Sequence, residues 1–217
     1  MKRFGDQAAP SRPRATIVCT VTAAIIDRIY RHWVSVALAL GILLLLLLPL
    51  LARRMEWNAF IVLVCLQTPV YMLHQVEEHT GDRFRTFVNR EIYGGVDALT
   101  PAVVLLANIP GAWGVTLLSL YLTVCVAAGW GLLGLYLIAV NAVVHIVAIL
   151  VKRKYNPGLW TALLLFVPLS LLTFRNRAST QAAWSHHAVG LATALAIHAA
   201  LVVHTRRRAE RLRRGSL

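Results

Sequence analysis

Side chains that can bind metals or transfer protons interrupt an apolar part of the chain at residues 71–82, which read YMLHQVEEHTGD. His74, Glu77 and Glu78 are spaced i, i+3 and i+4, so on a helix they lie on one face. Ionisable groups in hydrocarbon are costly, and they are usually paired, line a cavity or take part in chemistry. The spacing therefore predicts a functional site on this helix.

Two further histidines are predicted at the same depth in the membrane. His145 and His198 each lie six residues before the predicted end of an apolar run, and His74 lies five residues before the end of its own. At 1.5 Å per residue these distances are roughly 8–9 Å. If the three helices are neighbours, their imidazoles can meet the two carboxylates. Asn141, one turn before His145 on the same face, can orient a ligand through a hydrogen bond.

Imidazole nitrogen and carboxylate oxygen together favour a divalent metal, Fe²⁺ or Zn²⁺. A site with three or four protein ligands leaves a position open for water or substrate. One glutamate that does not bind the metal would act as general acid or base. The residues that we expect to bind the metal are His74, Glu77, Glu78, His145 and His198.

Two alternatives to a metal site stay open. Adjacent carboxylates in a dry site repel each other and would share a proton, which gives an acid–base pair without a metal. His74 and Glu77 could instead pair with Arg83 or Arg85 and anchor the helix in the lipid headgroups. His79 falls at i+5 from His74, off the shared face, and is predicted to lie at the interface.

The elements that position these residues are predicted to be transmembrane helices. Of the 217 residues, 58% are hydrophobic and 14% are charged, which is too apolar for an ordinary soluble domain. Crossing the hydrocarbon takes about 20 apolar residues, and the sequence shows no alternation typical of a membrane β-barrel. We predict an all-α, polytopic bundle of about six transmembrane helices, at residues 32–52, 57–79, 100–127, 129–151, 158–174 and 183–204. Pro110 predicts a kink in the third helix.

The distribution of basic residues predicts the orientation of the bundle. Of the 22 Lys and Arg residues, four lie in loops that would be outside: Arg53, Arg54, Arg175 and Arg177. The other 18 lie in segments that would be cytoplasmic if both termini are cytoplasmic, as the positive-inside rule requires. We expect these basic loops and the basic tail to contact anionic lipid headgroups and not nucleic acid.

The chain divides into three predicted segments. Residues 1–31 form a basic leader whose apolar stretch, 15–26, is too short to span, so it is predicted to be interfacial or dispensable; a signal peptide is the alternative. Residues 32–204 form a single transmembrane domain, and residues 205–217 form a basic cytoplasmic tail. Three cysteines without CxxC spacing, Cys19, Cys65 and Cys125, are expected to be packing residues.

The order of the motifs resembles that of a known family. H-x-x-E-E at His74, Glu77 and Glu78, a later His145, and Y-x-P-G at residues 155–158 are similar to the HXXEE family of small bacterial integral-membrane proteins. The resemblance covers roughly residues 57–204, and it implies that these positions form the family's characteristic set and that the chain lies in a bacterial inner membrane. It implies no reaction. Tyr155 is interpreted as either an interfacial residue or a proton donor.

Four functions compete on the sequence alone. The first is a metal-dependent membrane enzyme on a lipid-like or isoprenoid substrate that enters sideways, with iron oxidation and zinc hydrolysis both open. The second is a metal-free isomerase or cyclase, or an intramembrane hydrolase; intramembrane proteases with an EExxxR pattern are similar, but here Arg83 follows Glu78 one position late. The third is a small ion or proton transporter, and the fourth is a structural or assembly protein.

Overall fold

The structure is a computed structural model that describes residues 14–180 and 182–215. Every regular element within these residues is helical, and six helical stretches are long and apolar enough to cross a membrane. These spans are Ala24–Arg54, Ala59–Ile92, Pro101–Cys125, Ala128–Lys152, Leu159–Asn176 and Trp184–Arg214. The predicted all-α bundle of six spans is therefore confirmed, whereas the cytoplasmic location of the termini stays a prediction.

The first helix, α1 (Arg14–Arg54), is longer than the sequence predicted. It runs through the apolar stretch of the predicted leader without a break, because its only internal proline is Pro49. An ion pair of 2.7 Å between Arg31 and Asp27, at i and i+4, lies in this continuous part. The division of the chain near residue 31 stays a prediction, and residues 1–13 lie outside the described part.

The second helix, α2 (Ala59–His79), lies at the centre of the bundle. Asn58 accepts a hydrogen bond from the backbone N–H of Ile61 and so caps its start. Within the most apolar stretch of this span 56% of residues are buried, against 17–33% in the other spans. Because α2 touches α1 and the third, fourth and fifth spans, its polar residues face protein and not lipid.

The chain bends at the end of α2. A 3₁₀ turn (Thr80–Asp82) contains two residues with positive φ, Gly81 and Asp82, and is followed by α3 (Arg83–Phe87) and a π-helical turn (Val88–Ile92). The Arg85 guanidinium, at 2.5–3.1 Å, bridges the carboxylates of Asp82 and Asp97. These bonds join α3 to the preceding 3₁₀ turn and to the segment that precedes α4.

The third and fifth spans both contain a widened π-helical turn. In the third span, α4 (Pro101–Leu106) and α5 (Gly114–Cys125) flank the turn Ala107–Trp113, which includes Pro110. In the fifth span, α7 (Leu159–Thr161) and α8 (Val167–Asn176) flank the turn Ala162–Phe166. The predicted break at Pro110 therefore takes the form of a π-helical turn, an irregularity that is frequent at functional sites.

The fourth and sixth spans pack side by side. A 3₁₀ turn (Ala128–Gly131) leads into α6 (Leu132–Lys152), which lies along α9 (Trp184–Arg214). A Cβ atom added to Gly190 of α9 would lie 2.9 Å from the backbone oxygen of Leu132 and 2.8 Å from the Tyr136 ring. The two backbones are thus close enough that only glycine fits at this crossing.

Gly190→Ala should therefore lower the free energy of unfolding by about 1–3 kcal/mol, since the added methyl group overpacks a backbone contact. Denaturant unfolding in detergent measures the change. Gly114→Ala is the matched control, because its added Cβ would meet nothing nearer than 3.9 Å. Equal stability of the two variants would contradict the close packing of α6 on α9.

Candidate metal centre

The structure brings together three of the predicted site residues from two spans. His74 and Glu78 project from α2, and His145 projects from α6; one ligand atom from each lies within 4.8 Å of the others. Nε2 of His74 is 3.4 Å from Oε2 of Glu78, and Nε2 of His145 is 3.1 Å from Oε1. All three side chains are at most 5% exposed. The equal depth predicted for His74 and His145 thus corresponds to an actual meeting point.

The protonation of the His74 ring is set by Thr161 of α7. The Thr161 hydroxyl carries one proton, and it donates this proton at 2.6 Å to the carboxylate of Glu77. The 2.8 Å contact between Nδ1 of His74 and the same hydroxyl must therefore be donated by the imidazole. Neutral His74 is then protonated on Nδ1, and its Nε2 presents a lone pair toward Glu78.

The His145 ring is held in the same way by Asn156. The amide nitrogen of Asn156 donates at 3.1 Å to the backbone oxygen of His145, which fixes the orientation of the amide. Its Oδ1, 2.5 Å from Nδ1 of His145, is then an acceptor, so the imidazole is the donor. His145 also presents the lone pair of Nε2 toward Glu78.

A third imidazole, that of His79, contacts the same carboxylate. Its Nε2 lies 3.3 Å from Oε2 of Glu78, and its side chain is 1% exposed. The prediction that His79 lies at the interface is therefore wrong. Helical periodicity places His79 about 140° around α2 from His74, but the Glu78 carboxylate lies between the two rings and reaches both.

A chain of hydrogen bonds also determines which partner Nε2 of His79 bonds. The indole N–H of Trp113, a donor only, bonds Oε1 of Gln75 at 2.6 Å, and Nε2 of Gln75 donates to Oδ1 of Asn108 at 2.8 Å. The Asn108 amide therefore points its nitrogen toward Nε2 of His79, 3.2 Å away. His79 accepts this bond with the single lone pair of Nε2, so that lone pair is directed at Asn108, and its Nδ1 is buried without a partner among the described residues.

When the imidazoles are neutral, the Glu78 carboxylate therefore faces the Nε2 lone pairs of His74 and His145 and receives no hydrogen bond from either ring. A neutral imidazole has one proton, and in His74 and His145 that proton is already donated elsewhere. Lone pairs that face a buried carboxylate repel it unless a cation lies between them. The nitrogen–oxygen distances of 3.1 and 3.4 Å are close to the edge of about 3.3 Å between tetrahedral ligands 2.0–2.1 Å from a zinc ion. The group could hold a metal.

Glu77, expected among the ligands, lies outside this group. Its carboxylate accepts four bonds, from the backbone N–H of Trp160 and Thr161, the Thr161 hydroxyl and the Tyr155 hydroxyl. A carboxylate at the first free N–H groups of a helix is a favourable cap. Glu77 therefore joins the start of the fifth span to α2 and orients His74 through Thr161, one bond away from the cluster.

The Y-x-P-G motif packs against the site. Asn156 bonds His145, and Tyr155 bonds Glu77 at 2.6 Å while remaining 43% exposed, away from the cluster. Gly158 has φ +96°, and a Cβ atom there would lie 2.6–2.8 Å from atoms of His74, Glu78 and His145. Only glycine leaves room for the three side chains to meet, so the motif shapes the site.

Asn141 and His198 line a cavity beside the cluster. Asn141 donates to the Tyr71 hydroxyl at 2.8 Å, and its Oδ1 is buried without a partner. Nδ1 of His198 contacts the backbone oxygen of Ala194 at 2.8 Å. His198 is outside the group of three ligand atoms, although it lines the same cavity as Glu78.

This cavity has a volume of about 250 Å³ and a mainly apolar lining. Tyr71, Glu78 and His79 of α2 and His145 of α6 lie in its wall, and the rest is formed by further residues of the third, fourth and sixth spans together with the residues after α2. Its lining residues Ile92, Val144 and Val202 are 46–59% exposed on the outside of the bundle. The cavity therefore lies between the cluster and residues that are partly exposed on the outer surface of the bundle.

Comparisons with known proteins agree with the sequence motifs. A family model described as a protein of unknown function with HXXEE motif matches residues 65–173. This range includes the three clustered residues, Glu77 and the Y-x-P-G motif, whereas His198 lies beyond it. No curated protein and no solved structure shows significant similarity to the chain.

Thr161→Val should release the His74 ring, because valine has the shape of threonine but no acceptor for Nδ1. We expect the histidine nitrogen chemical shifts in nuclear magnetic resonance spectra to show loss of the single His74 tautomer, and metal affinity to fall about 10–100-fold. Thr161→Ser should restore both. Thr173→Val, where the buried hydroxyl bonds only its own helix at Leu169, is the control; an equal effect there would contradict the role of Thr161.

Tyr155, which lies outside the spans, should lose its proton at a higher pH than an ordinary tyrosine. Partial burial and the hydrogen bond to Glu77 raise the pKa of Tyr155 from 10.0 to about 12. A raised pKa favours the neutral phenol, so the bond to Glu77 is kept below pH 10 and lost as the pH rises through about 12. The tyrosinate absorbance of wild type minus Tyr155→Phe measures this step. A midpoint near 10 would show that the bond is absent.

Proposed function

The chain belongs to the HXXEE family, and we propose that it is a metal-dependent integral-membrane enzyme acting on a lipid-like or isoprenoid substrate. The observation that carries this proposal is the arrangement around Glu78. Two imidazoles whose protons are held by Thr161 and Asn156 point unprotonated nitrogens at one buried carboxylate. A divalent cation is the simplest partner for such a set.

The chemical types of the three ligands limit which metals the site would bind. Two histidines and one carboxylate are the ligands of catalytic zinc in several hydrolases and of non-haem Fe²⁺ in oxygenases. A metal bound by His74, Glu78 and His145 would supply a Lewis acid or a redox centre with open positions. His79, whose Nε2 contacts Glu78 but accepts a hydrogen bond from Asn108, would have to release that bond to become a fourth ligand.

The other residues of the site orient its side chains, line the cavity and exclude water. Glu77 is held by four donors, so we assign it the orientation of His74 and not the acid–base role expected from its position in the sequence. His79 lines the cavity, but its Nε2 lone pair accepts a hydrogen bond from Asn108, so it could accept a proton from a substrate only after that bond is released. The apolar walls keep the reacting groups away from bulk water.

The membrane location of the site fits a substrate dissolved in lipid. Because residues that line the cavity are also partly exposed on the outside of the bundle, we propose that an apolar molecule enters sideways from the lipid without crossing water. We further propose that the protein lies in a bacterial inner membrane with both termini cytoplasmic, since 18 of 22 Lys and Arg residues would then be inside. The site would lie near the inner leaflet, whose anionic headgroups the basic loops would contact.

A metal-free acid–base enzyme, such as an isomerase or cyclase, is the second candidate because the same cluster supports it. Without a metal, protons must lie between the imidazole nitrogens and Glu78 for the buried groups to be satisfied. Such a shared-proton site could move a proton on a hydrophobic substrate.

Elemental analysis of purified protein separates the two candidates. We expect wild type to contain about one equivalent of zinc or iron, and His74→Ala, Glu78→Ala and His145→Ala to lose it, because each substitution removes one of three ligands. His204→Ala, an exposed histidine on the same helix as His198, should retain the metal. Size-exclusion chromatography checks that each variant is folded.

A folded wild-type protein without metal, after purification free of chelators and after addition of zinc or ferrous iron, would contradict the metal proposal. It would leave the acid–base candidate in its place. Retention of the metal by Glu78→Ala would contradict the assignment of Glu78 as the central ligand.

A further inference from the structure

We propose that the cavity beside Glu78 binds an apolar molecule that carries a hydroxyl group, which Tyr71 and Asn141 recognise. This inference rests on the proposed enzyme function, because it names the chemical class of that enzyme's substrate. It follows from the hydrogen-bonding capacity that the cavity leaves unused.

Tyr71 and Asn141 together leave one acceptor, Oδ1 of Asn141, and two donors, the Tyr71 hydroxyl and the second amide N–H of Asn141, without a partner among the described residues. The Asn141 amide nitrogen donates to the Tyr71 oxygen at 2.8 Å, so the Tyr71 proton points elsewhere, and no described residue accepts it. Oδ1 of Asn141 is buried and has no partner among the described residues. Both side chains line the cavity. A buried acceptor without a partner costs about 1–3 kcal/mol, so a ligand that satisfies it gains affinity.

His198 adds a second acceptor. Its Nδ1 proton is donated to the backbone oxygen of Ala194, which cannot donate in return. Neutral His198 is then left with Nε2 as its remaining polar atom, and this atom carries a lone pair. Beside the cluster, the cavity therefore offers the Tyr71 proton, the second amide N–H of Asn141 and two acceptors.

Among simple polar groups, the hydroxyl matches this set. A hydroxyl donates one proton and accepts through its lone pairs, so it can satisfy Asn141 and Tyr71 together. A carboxylate, phosphate or ketone only accepts and would leave Oδ1 of Asn141 unpaired. An ammonium group only donates, and a divalent cation at Glu78 would repel it. None of the described residues that line the cavity is Lys or Arg, which also disfavours an anionic ligand.

The remainder of the cavity fits the apolar part of such a molecule. Leu137, Val144, Ile197, Leu201 and Val202 lie among its lining residues. At about 30 Å³ for each water-sized group, 250 Å³ accommodates about eight such groups. A medium-length aliphatic alcohol, or the hydroxyl end of a longer isoprenoid alcohol that extends into lipid, has this size.

Competition photolabelling of the purified protein tests the inference. An aliphatic alcohol with a diazirine in its chain is crosslinked to the protein, and octanol, octylamine and octanoate are compared as competitors. We expect octanol to compete at concentrations about tenfold lower than the other two, the difference that one satisfied buried hydrogen bond provides. Mass spectrometry should locate the label on α6 or α9.

Substitutions show whether the cavity residues cause the preference. Asn141→Leu keeps the size of the side chain but removes the acceptor, and it should abolish the preference for octanol while labelling persists. His198→Phe should weaken it. His204→Phe, on the same helix and exposed, should leave it unchanged. Loss of the preference in His204→Phe as well would overturn the assignment to this cavity.

Metal content measured in the same samples separates this inference from the proposed function. Equal competition by octanol and octanoate in metal-containing wild type would overturn the hydroxyl inference and leave the metal-dependent enzyme standing. A wild-type protein that binds no added metal but still prefers octanol would support the hydroxyl inference and overturn the metal alone.

Discussion

One buried carboxylate, that of Glu78, determines the arrangement of the site. It lies in the interior of a membrane bundle, where an unpaired charge is too costly to persist, and the nearest polar atoms are imidazole nitrogens. When His74 and His145 are neutral, their protons are directed to Thr161 and Asn156, so the nitrogens that face Glu78 have no proton to donate. A cation at this point would convert three mutually repelling groups into one bound set.

The rest of the fold can be understood as support for this point. α2 is the most buried span and carries both Glu78 and His74, while α6 supplies His145 from the opposite side. The start of the fifth span approaches so closely that Gly158 cannot carry a side chain. Glu77 caps that start and thereby ties the orientation of His74 to the position of another helix. The motif residues thus fix one another's positions.

Much of this could be predicted because a helix has a fixed rise and period. The i, i+4 pair of His74 and Glu78 and the matched depth of His145 follow from counting residues, and the six spans follow from apolar length. Counting could not separate Glu77 from Glu78, since both lie on the predicted face; the choice depends on where the fifth span begins. The sequence did not predict that His79 contacts the site, because this contact depends on how far the Glu78 side chain reaches. It also depends on Asn108, which lies in a π-helical turn where the regular helical period of residues does not apply.

X-ray absorption spectroscopy at the edge of the bound metal tests the central claim most directly, because it reports the atoms that surround the ion. We expect a first shell of two imidazole nitrogens and at least one carboxylate oxygen at about 2.0–2.1 Å, with the outer scattering typical of imidazole rings. A first shell without imidazole scattering, or one containing sulfur, would contradict a metal centre at His74, Glu78 and His145.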